Sequence, residues 1–190
     1  MNKRHLRAGI SVTALALIGS AALAATPSAP APESGVERAH MLLVFHSMYG
    51  VDGPFVGEAF PQRGIPGDEL PWTVESANGW LDTDGHLTLQ VKGIVFTDDD
   101  EVPPNLRGTN DEPTFRAAIS CITESGDRIV RRNVITDPFP ATPEGDARVK
   151  TTVELPNPCA EPTLFILAGS EDKWFAVVGF ESEEEEEEAK

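Results

Sequence analysis

The stretch Phe115-Arg116-Ala117-Ala118-Ile119-Ser120-Cys121 decides the fold of this 190-residue chain. Its odd-numbered positions are all apolar, whereas two of the even-numbered positions are polar, Arg116 and Ser120. Alternation with a period of two is typical of a β-strand that buries one face. A second alternation runs from Ala147 to Leu155, with charged side chains on its polar side. Burial on one side only is typical of antiparallel sheets, so the pattern favours an all-β, antiparallel domain.

The chain has two cysteines, Cys121 in the first of these strands and Cys159 just after the second. Only one intramolecular pairing is possible, and we expect a disulfide. In the chain-entropy model such a bridge stabilises the fold by about 4 kcal/mol. Two buried free thiols are the alternative. A catalytic cysteine is disfavoured because no histidine lies near either residue in the sequence.

Short turn signals separate the remaining strand candidates. Asp82-Thr83-Asp84-Gly85, Glu124-Ser125-Gly126-Asp127 and Gly169-Ser170-Glu171-Asp172 each predict a hairpin. The run around Leu43-Val44-Phe45 is a further strand or a short helix, and its β-branched and aromatic centre favours a strand. Seven or eight strands without a long helix predict an antiparallel Greek-key or immunoglobulin-like β-sandwich. A closed antiparallel barrel is the alternative.

Two long loops interrupt this pattern. The first, 49–71, is rich in glycine and proline, and the second, 97–114, is polar. Loops of this length inside a compact domain are either functional or packed over the core. Part of the first loop, 51–67, could shape a binding surface or cover a sheet edge.

The N-terminus predicts export. Residues 1–24 combine a basic start, an apolar run and Ala22-Leu23-Ala24, which is the pattern of a cleaved signal peptide; a retained anchor is the alternative. Residues 25–35 are predicted to form a flexible Pro/Ala/Ser linker, 36–180 a single domain, and 181–190 a disordered acidic tail. We therefore expect a secreted or envelope-associated protein with no stable membrane insertion after cleavage.

The formal charge of −16 limits the partners. Nucleic acids and anionic membranes attract Lys and Arg, so both are disfavoured. Cations, basic proteins and neutral glycans remain, and an unknown protein or a glycan is the expected partner.

Candidate binding residues are few. Clustered carboxylates can bind calcium, which makes Asp98, Asp99, Asp100 and Glu101 a possible site, although the spacing of an EF-hand loop is absent. A solvated acidic loop is the alternative. Trp72 and Trp80 could stack on a sugar if exposed, whereas core packing is the other interpretation, which also applies to Trp174. No cofactor is otherwise indicated.

Catalytic patterns are not visible in the sequence. It contains no G-x-S-x-G elbow and no glycine loop ending in G-K-[ST]. His40, His46 and His86 lack the close spacing of zinc ligands. No catalytic residue is therefore predicted.

Several segments, among them GWLDTDGHLTLQVKGIVF, TDPFPAT and WFAVVGF, resemble a family of uncharacterised exported bacterial proteins with one β-rich domain. The resemblance covers most of 55–180 and implies export and a compact domain, without implying an activity. The leading expectation is a secreted, non-catalytic sandwich with a binding or structural role. A cation-dependent enzyme that uses the acidic loop, or a glycan-binding module that uses an exposed tryptophan, are the alternatives.

Overall fold

The structure of the protein is a computed structural model that describes residues 39–179. The predicted signal peptide (1–24), linker (25–35) and acidic tail (181–190) lie outside these residues. Within 39–179 the chain is all-β, with twelve strands and one short 3₁₀ helix, Gly53–Phe55. In this part of the chain no helix is long and apolar enough to cross a membrane.

Eight strands have five or more residues: β1 (Met41–Phe45), β4 (Ser76–Asp82), β5 (His86–Lys92), β7 (Thr114–Ser125), β8 (Arg128–Ile135), β10 (Ala147–Thr152), β11 (Ala160–Ala168) and β12 (Trp174–Val178). Four more have two or three residues: β2 (Met48–Gly50), β3 (Trp72–Thr73), β6 (Val95–Phe96) and β9 (Phe139–Pro140). The expected seven or eight strands correspond to the long ones. The short strands escape prediction because two or three residues carry no measurable periodicity.

The strands form two open antiparallel sheets, ordered β1-β4-β5-β10 and β2-β12-β11-β7-β8, with β9 paired to β7 and a separate β3–β6 pair. Three hairpins, β4–β5, β7–β8 and β11–β12, carry the chain within a sheet. Between hairpins the chain crosses over, so that β10 pairs with β5 and β11 pairs with β7. Two antiparallel sheets with these crossovers have a sandwich-like layout, and the predicted all-β antiparallel fold class is confirmed.

Aromatic side chains fill the core. The indole of Trp72 lies between the rings of Phe96 and Phe175, with both centroid distances at 4.0 Å. Phe115 contacts Phe175 edge to face, with centroids 5.6 Å apart. Phe115 lies on β7, the strand predicted from 115–121, and points into the core as expected. Ala118 and Ser120 on the other face of β7 are also fully buried, so the expectation that this strand buries one face only is wrong.

Turn chemistry fixes the hairpins. At the end of the Asp82–Gly85 turn, Gly85 has a φ of +80°, which glycine adopts without the strain of other residues. A Cβ built at this position would lie 1.9 Å from the carbonyl oxygen of Val153. Glycine is therefore required twice over, and the predicted hairpin is confirmed.

The disulfide is also present. Cys121 on β7 is bonded to Cys159, which directly precedes β11, across a sequence separation of 38. The bridge therefore links two neighbouring strands of the same sheet, where β11 begins.

Candidate functional site

Both faces of β11 and β12 are largely buried. Cross-strand partners share a face of a sheet. Phe165 on β11 pairs with Val177 on β12 and with Ala118 on β7, so these three side chains lie on one face. Trp72 and Phe115 lie in the sandwich core, and the face that carries Phe165 is the opposite, outward face of the sheet. An outward face with buried aromatic residues requires a cover.

The glycine- and proline-rich loop supplies that cover. It folds back on itself: the backbone N–H of Gly57 donates to the carbonyl of Asp68 at 2.7 Å, and Gln62 and Ile65 exchange two hydrogen bonds of 2.9 Å. It then joins β12, because Trp174 N donates to Pro66 O at 3.0 Å and Asp68 N donates to Trp174 O at 3.1 Å. The loop thus covers the edge of β12, one of the two roles proposed for it from the sequence.

Close packing explains the composition of this loop. A Cβ at Gly67 would lie 2.0 Å from the carbonyl oxygen of Phe55 and 2.7 Å from the side chain of Val51. The 3₁₀ helix begins after Asp52, whose carboxylate accepts a hydrogen bond from Gly53 N at 2.6 Å. Pro54 fits the first turn of the helix, where no backbone donor is needed.

The cover is incomplete, and a groove of about 670 Å³ remains between the loop and the sheet. Its floor is largely apolar and consists of side chains on the outward face of β11 and β12: Thr163, Phe165, Trp174 and Val177. Pro54 and Phe55 form part of the wall, and Tyr49, which is 53% exposed, stands at the opening. Polar groups of the loop line the rest, namely Asp52, Gln62 and Arg63. The other role considered for the loop, shaping a binding surface, stays a prediction.

Trp174 links the floor to the wall. Its ring centroid lies 6.0 Å from that of Phe165 and 6.5 Å from that of Phe55. The indole is 2% exposed, and its Nε1–H has no hydrogen-bond partner among the described residues. A buried donor without a partner costs about 1–3 kcal/mol. This nitrogen is itself buried, so its unpaired donor does not open into the groove.

A buried carboxylate secures the loop behind the groove. Asp68 is 8% exposed, and its Oδ2 accepts a hydrogen bond from Trp72 Nε1 at 2.8 Å. Desolvation by burial raises the pKa of Asp68 above its ordinary value of 3.8, although the hydrogen bond from Trp72 opposes this shift. Asp68 therefore connects the loop to the core tryptophan.

The neighbouring acidic cluster is filled by a lysine. Oxygens of Asp68, Glu69 and Glu171 lie within 4.8 Å of one another, which alone would suggest a cation site. However, Lys173 Nζ is paired with Glu69 and lies 2.9 Å from Glu171 Oε2. The hydrogen bond from Lys173 to Glu69, and to a smaller extent the one to Glu171, raises the pKa of this lysine. The ammonium group thus supplies the positive charge, and the ion triad joins the loop to the β11–β12 turn.

The predicted calcium residues lie elsewhere, on a turn of the second loop. Asp98, Asp99, Asp100 and Glu101 are all exposed. Arg107 pairs with Asp98 at 3.5 Å and with Asp100 at 3.4 Å, and its Nε donates to the carbonyl of Val102 at 2.9 Å. A calcium ion would have to displace this guanidinium. The calcium site stays a prediction that this geometry does not favour.

The two tryptophans predicted to stack on a ligand lie in different environments. Trp72 is 2% exposed and enclosed by aromatic rings, so it has no face to offer to a ligand. Trp80 is partly exposed and lies on β4 of the other sheet. Ligand stacking therefore remains a hypothesis for Trp80 alone.

One histidine is tied to a carboxylate. His86 Nδ1 lies 2.9 Å from Asp82 Oδ2, and the backbone N–H groups of Asp84 and His86 donate to Asp82 Oδ1 at 3.0 and 2.9 Å. Burial opposes ionisation of Asp82, but these hydrogen bonds from His86 and the turn lower its pKa below 3.8. The arrangement stabilises the predicted hairpin turn.

No family model, no curated protein and no solved structure matches this chain. The sequence pointed to the loop 51–67 as a possible binding surface, but not to the residues of β11 and β12 that form the floor of the groove. The one signal for the floor residues is that the segments of β11 and β12 are nearly continuously apolar, as in strands that are covered on both faces. It gave no indication of which segment forms the cover or where it leaves a gap.

Proposed function

We propose that the protein is an exported, non-catalytic binding protein whose groove between the glycine-rich loop and β11–β12 accepts an uncharged apolar or aromatic small molecule. The observation that carries this proposal is the groove itself, with about 670 Å³ of space above an apolar floor. Small-molecule sites in proteins are typically concave, mostly apolar and of roughly 300–1,000 Å³.

The polar residues of the groove favour an uncharged ligand. Asp52 and Arg63 carry opposite charges, and Arg63 already lies 3.6 Å from the carboxylate of Glu161. Neither sign of charge therefore dominates the opening. The amide of Gln62 offers a donor and an acceptor that would orient a ligand with one or two polar atoms.

The lining supports binding rather than catalysis. The described residues that line the groove include no histidine, cysteine, lysine or glutamate. Asp52 is the one carboxylate, and it accepts a hydrogen bond from Gly53 N. General acid–base catalysis needs a titratable group within reach of the substrate, and this lining offers little of that chemistry.

Export is proposed from the leader pattern of residues 1–24, from the disulfide and from the resemblance to exported bacterial proteins. Structural disulfides persist in oxidising compartments outside the cytosol. Sequencing the N-terminus of the protein from a secreting host tests this part. Ala25 as the first residue is the expected result, and a protein that retains Met1 would contradict it.

Fluorescence of a neutral apolar dye, 1-N-phenylnaphthylamine, tests the groove. The dye should bind the wild-type protein with a rise in emission, and Val177→Arg should abolish that rise because it places a charge on the apolar floor. Ile129→Arg is the matched control: Ile129 is a 70% exposed apolar residue of β8 and does not line the groove. Equal loss of signal in both variants, or no binding to wild type, would reject the proposal.

A further inference from the structure

The outward face of the four-stranded sheet has a chemistry of its own. Register places Trp80 on β4 beside Thr88 on β5 and Lys150 on β10, and it places Asn78 beside Gln90 and Arg148. The residues that alternate with them on β5, such as Leu87 and Leu89, are buried in the core. The six named side chains therefore form two parallel rows across three strands on one open face.

This face of an acidic protein carries two unpaired cations in neighbouring positions. Arg148 and Lys150 are exposed, and neither forms an ion pair with a carboxylate among residues 39–179. In contrast, Arg107 on the acidic loop and Lys173 beside the groove are each paired with two carboxylates. Arg148 and Lys150 thus remain available to an external anion.

Carboxylates on the same face do not cancel this charge. Asp82 occupies the outward position at the end of β4, but it is 6% exposed and accepts its hydrogen bonds from His86 and Asp84. Glu75, Asp146 and Glu154 lie beyond the strand ends, and Asp146, just before β10, accepts a hydrogen bond from Gly93 N at 3.2 Å. The two rows themselves contain cationic, amide, hydroxyl and aromatic groups only.

We propose that this face, defined by Asn78, Trp80, Thr88, Gln90, Arg148 and Lys150, binds an acidic glycan built from uronic acid residues. The partly exposed indole of Trp80 would stack on a sugar ring. Asn78 and Gln90 carry amides that both donate and accept hydrogen bonds, as sugar hydroxyls require. Arg148 and Lys150, at the other side of the face, would pair with carboxylates of neighbouring sugar residues.

The geometry fits an extended chain of sugars. Two strand spacings separate the position of Trp80 from that of Lys150, which is roughly 10 Å. That distance allows one sugar residue to stack while a carboxylate further along the chain reaches a cation. An anionic membrane or a nucleic acid would contact a much wider area than these rows, so the net negative charge of the protein opposes them more than it opposes one narrow chain of sugars.

Affinity electrophoresis of the purified protein in gels that contain polygalacturonate tests the proposal, with neutral galactan as the paired glycan. Polygalacturonate should retard the wild-type protein and galactan should retard it far less. Trp80→Ala and Arg148→Ala/Lys150→Ala should each weaken binding to polygalacturonate about tenfold. Trp80→Phe should retain binding because it keeps an aromatic ring. Added salt should weaken binding to polygalacturonate.

The matched control is Arg128→Ala/Arg132→Ala, which removes the same charge from exposed positions of β8 in the other sheet. It should leave binding within about twofold of wild type. Equal loss in the two double variants, or equal retardation by galactan, would overturn the proposal. If Trp80→Ala melts well below wild type, its loss of binding could reflect unfolding. The comparison then uses Trp80→Phe and Arg148→Ala/Lys150→Ala instead.

The acidic segment 181–190 is a competing occupant, because its carboxylates would also match these cations. A variant that ends at Phe180 distinguishes the two. The proposal predicts that full-length and shortened proteins both bind polygalacturonate. Binding that appears only after removal of 181–190 would assign the face to this segment and would overturn the glycan proposal.

Discussion

The two outward faces of the sandwich differ in almost every respect. On the six-stranded sheet, the outward residues Phe165 and Trp174 are buried beneath a loop that leaves an apolar groove. On the four-stranded sheet, outward residues such as Gln90 and Arg148 are exposed, polar and in register across strands. The same fold therefore offers two surfaces of opposite chemistry. Each surface follows from whether its strands are apolar on both faces or on one only.

The largest expected difference between the faces is in stability. Phe165→Ala should lower the free energy of unfolding by about 3–5 kcal/mol, because it removes a ring that is 1% exposed from a packed site. Gln90→Ala, on the open face, should change it by less than about 0.5 kcal/mol. Urea denaturation of both variants measures the difference. Similar losses would show that the two faces are not covered differently.

The disulfide lies within the six-stranded sheet, and its removal should cause the second-largest loss of stability. Cys121→Ser/Cys159→Ser should lower the free energy of unfolding by about 2–4 kcal/mol, chiefly because the unfolded chain gains entropy. Urea denaturation under non-reducing conditions measures this loss, and wild type in reductant is the control. Two free thiols in unfolded, unreduced wild type would contradict the bridge.

The third prediction concerns Asp68, the buried aspartate that holds the loop over the six-stranded sheet. Removing its acceptor oxygen would leave the Nε1–H of Trp72 unpaired. Asp68→Ala should therefore cost about 1–3 kcal/mol, measured by urea denaturation. Asp68→Asn, which keeps an acceptor oxygen, is the control and should cost less. An equal loss in both variants would show that the hydrogen bond to Trp72 is not the cause.

Asp68 beside the six-stranded sheet and Asp82 on the four-stranded sheet should have opposite effects on the pH dependence of stability. The pKa of Asp68 is raised in the folded protein, so its contribution to stability is present at pH values below about 3.8 and is lost as the pH rises through the raised pKa. The pKa of Asp82 is lowered, so its contribution is present above about 3.8 and is lost as the pH falls further. Melting curves of Asp68→Asn and Asp82→Asn against pH should therefore diverge from wild type in opposite directions. Parallel curves would contradict these assignments.

The smallest effect is expected at the acidic loop, which belongs to neither face. Because Asp98 and Asp100 are exposed and share Arg107, Asp98→Asn/Asp100→Asn should move Tm by less than about 2 °C. Calcium should leave the Tm of wild type unchanged. A rise of several degrees with calcium, lost in this variant, would restore the metal-site hypothesis.

Much of the fold follows from local patterns in the sequence. The hairpins were predictable because alternation and turn residues such as Gly85 and Gly126 act over a few neighbouring residues. The disulfide was predictable because two cysteines allow a single pair. The partners of the loops were not, since contacts such as Pro66 to Trp174 join residues more than one hundred positions apart.

The sites were predicted less well, for the same reason. The acidic run Asp98–Glu101 suggested calcium, yet Arg107 neutralises part of it, which is a contact that composition does not show. Trp72 and Trp80 are similar in sequence context, but long-range packing buries the first and leaves the second partly exposed. The groove depends on the gap between a loop and a sheet, and no residue pattern encodes a gap.

The central claim is that the covered face contains a ligand groove and that the open face is separate from it. Two-dimensional ¹H–¹⁵N NMR during titration with 1-N-phenylnaphthylamine tests this claim most directly. Amide signals of groove residues, such as Phe55, Thr163 and Val177, should shift together, while those of Thr88 and Arg148 stay in place. Shifts confined to β5 and β10, or no saturable shifts at all, would contradict the account.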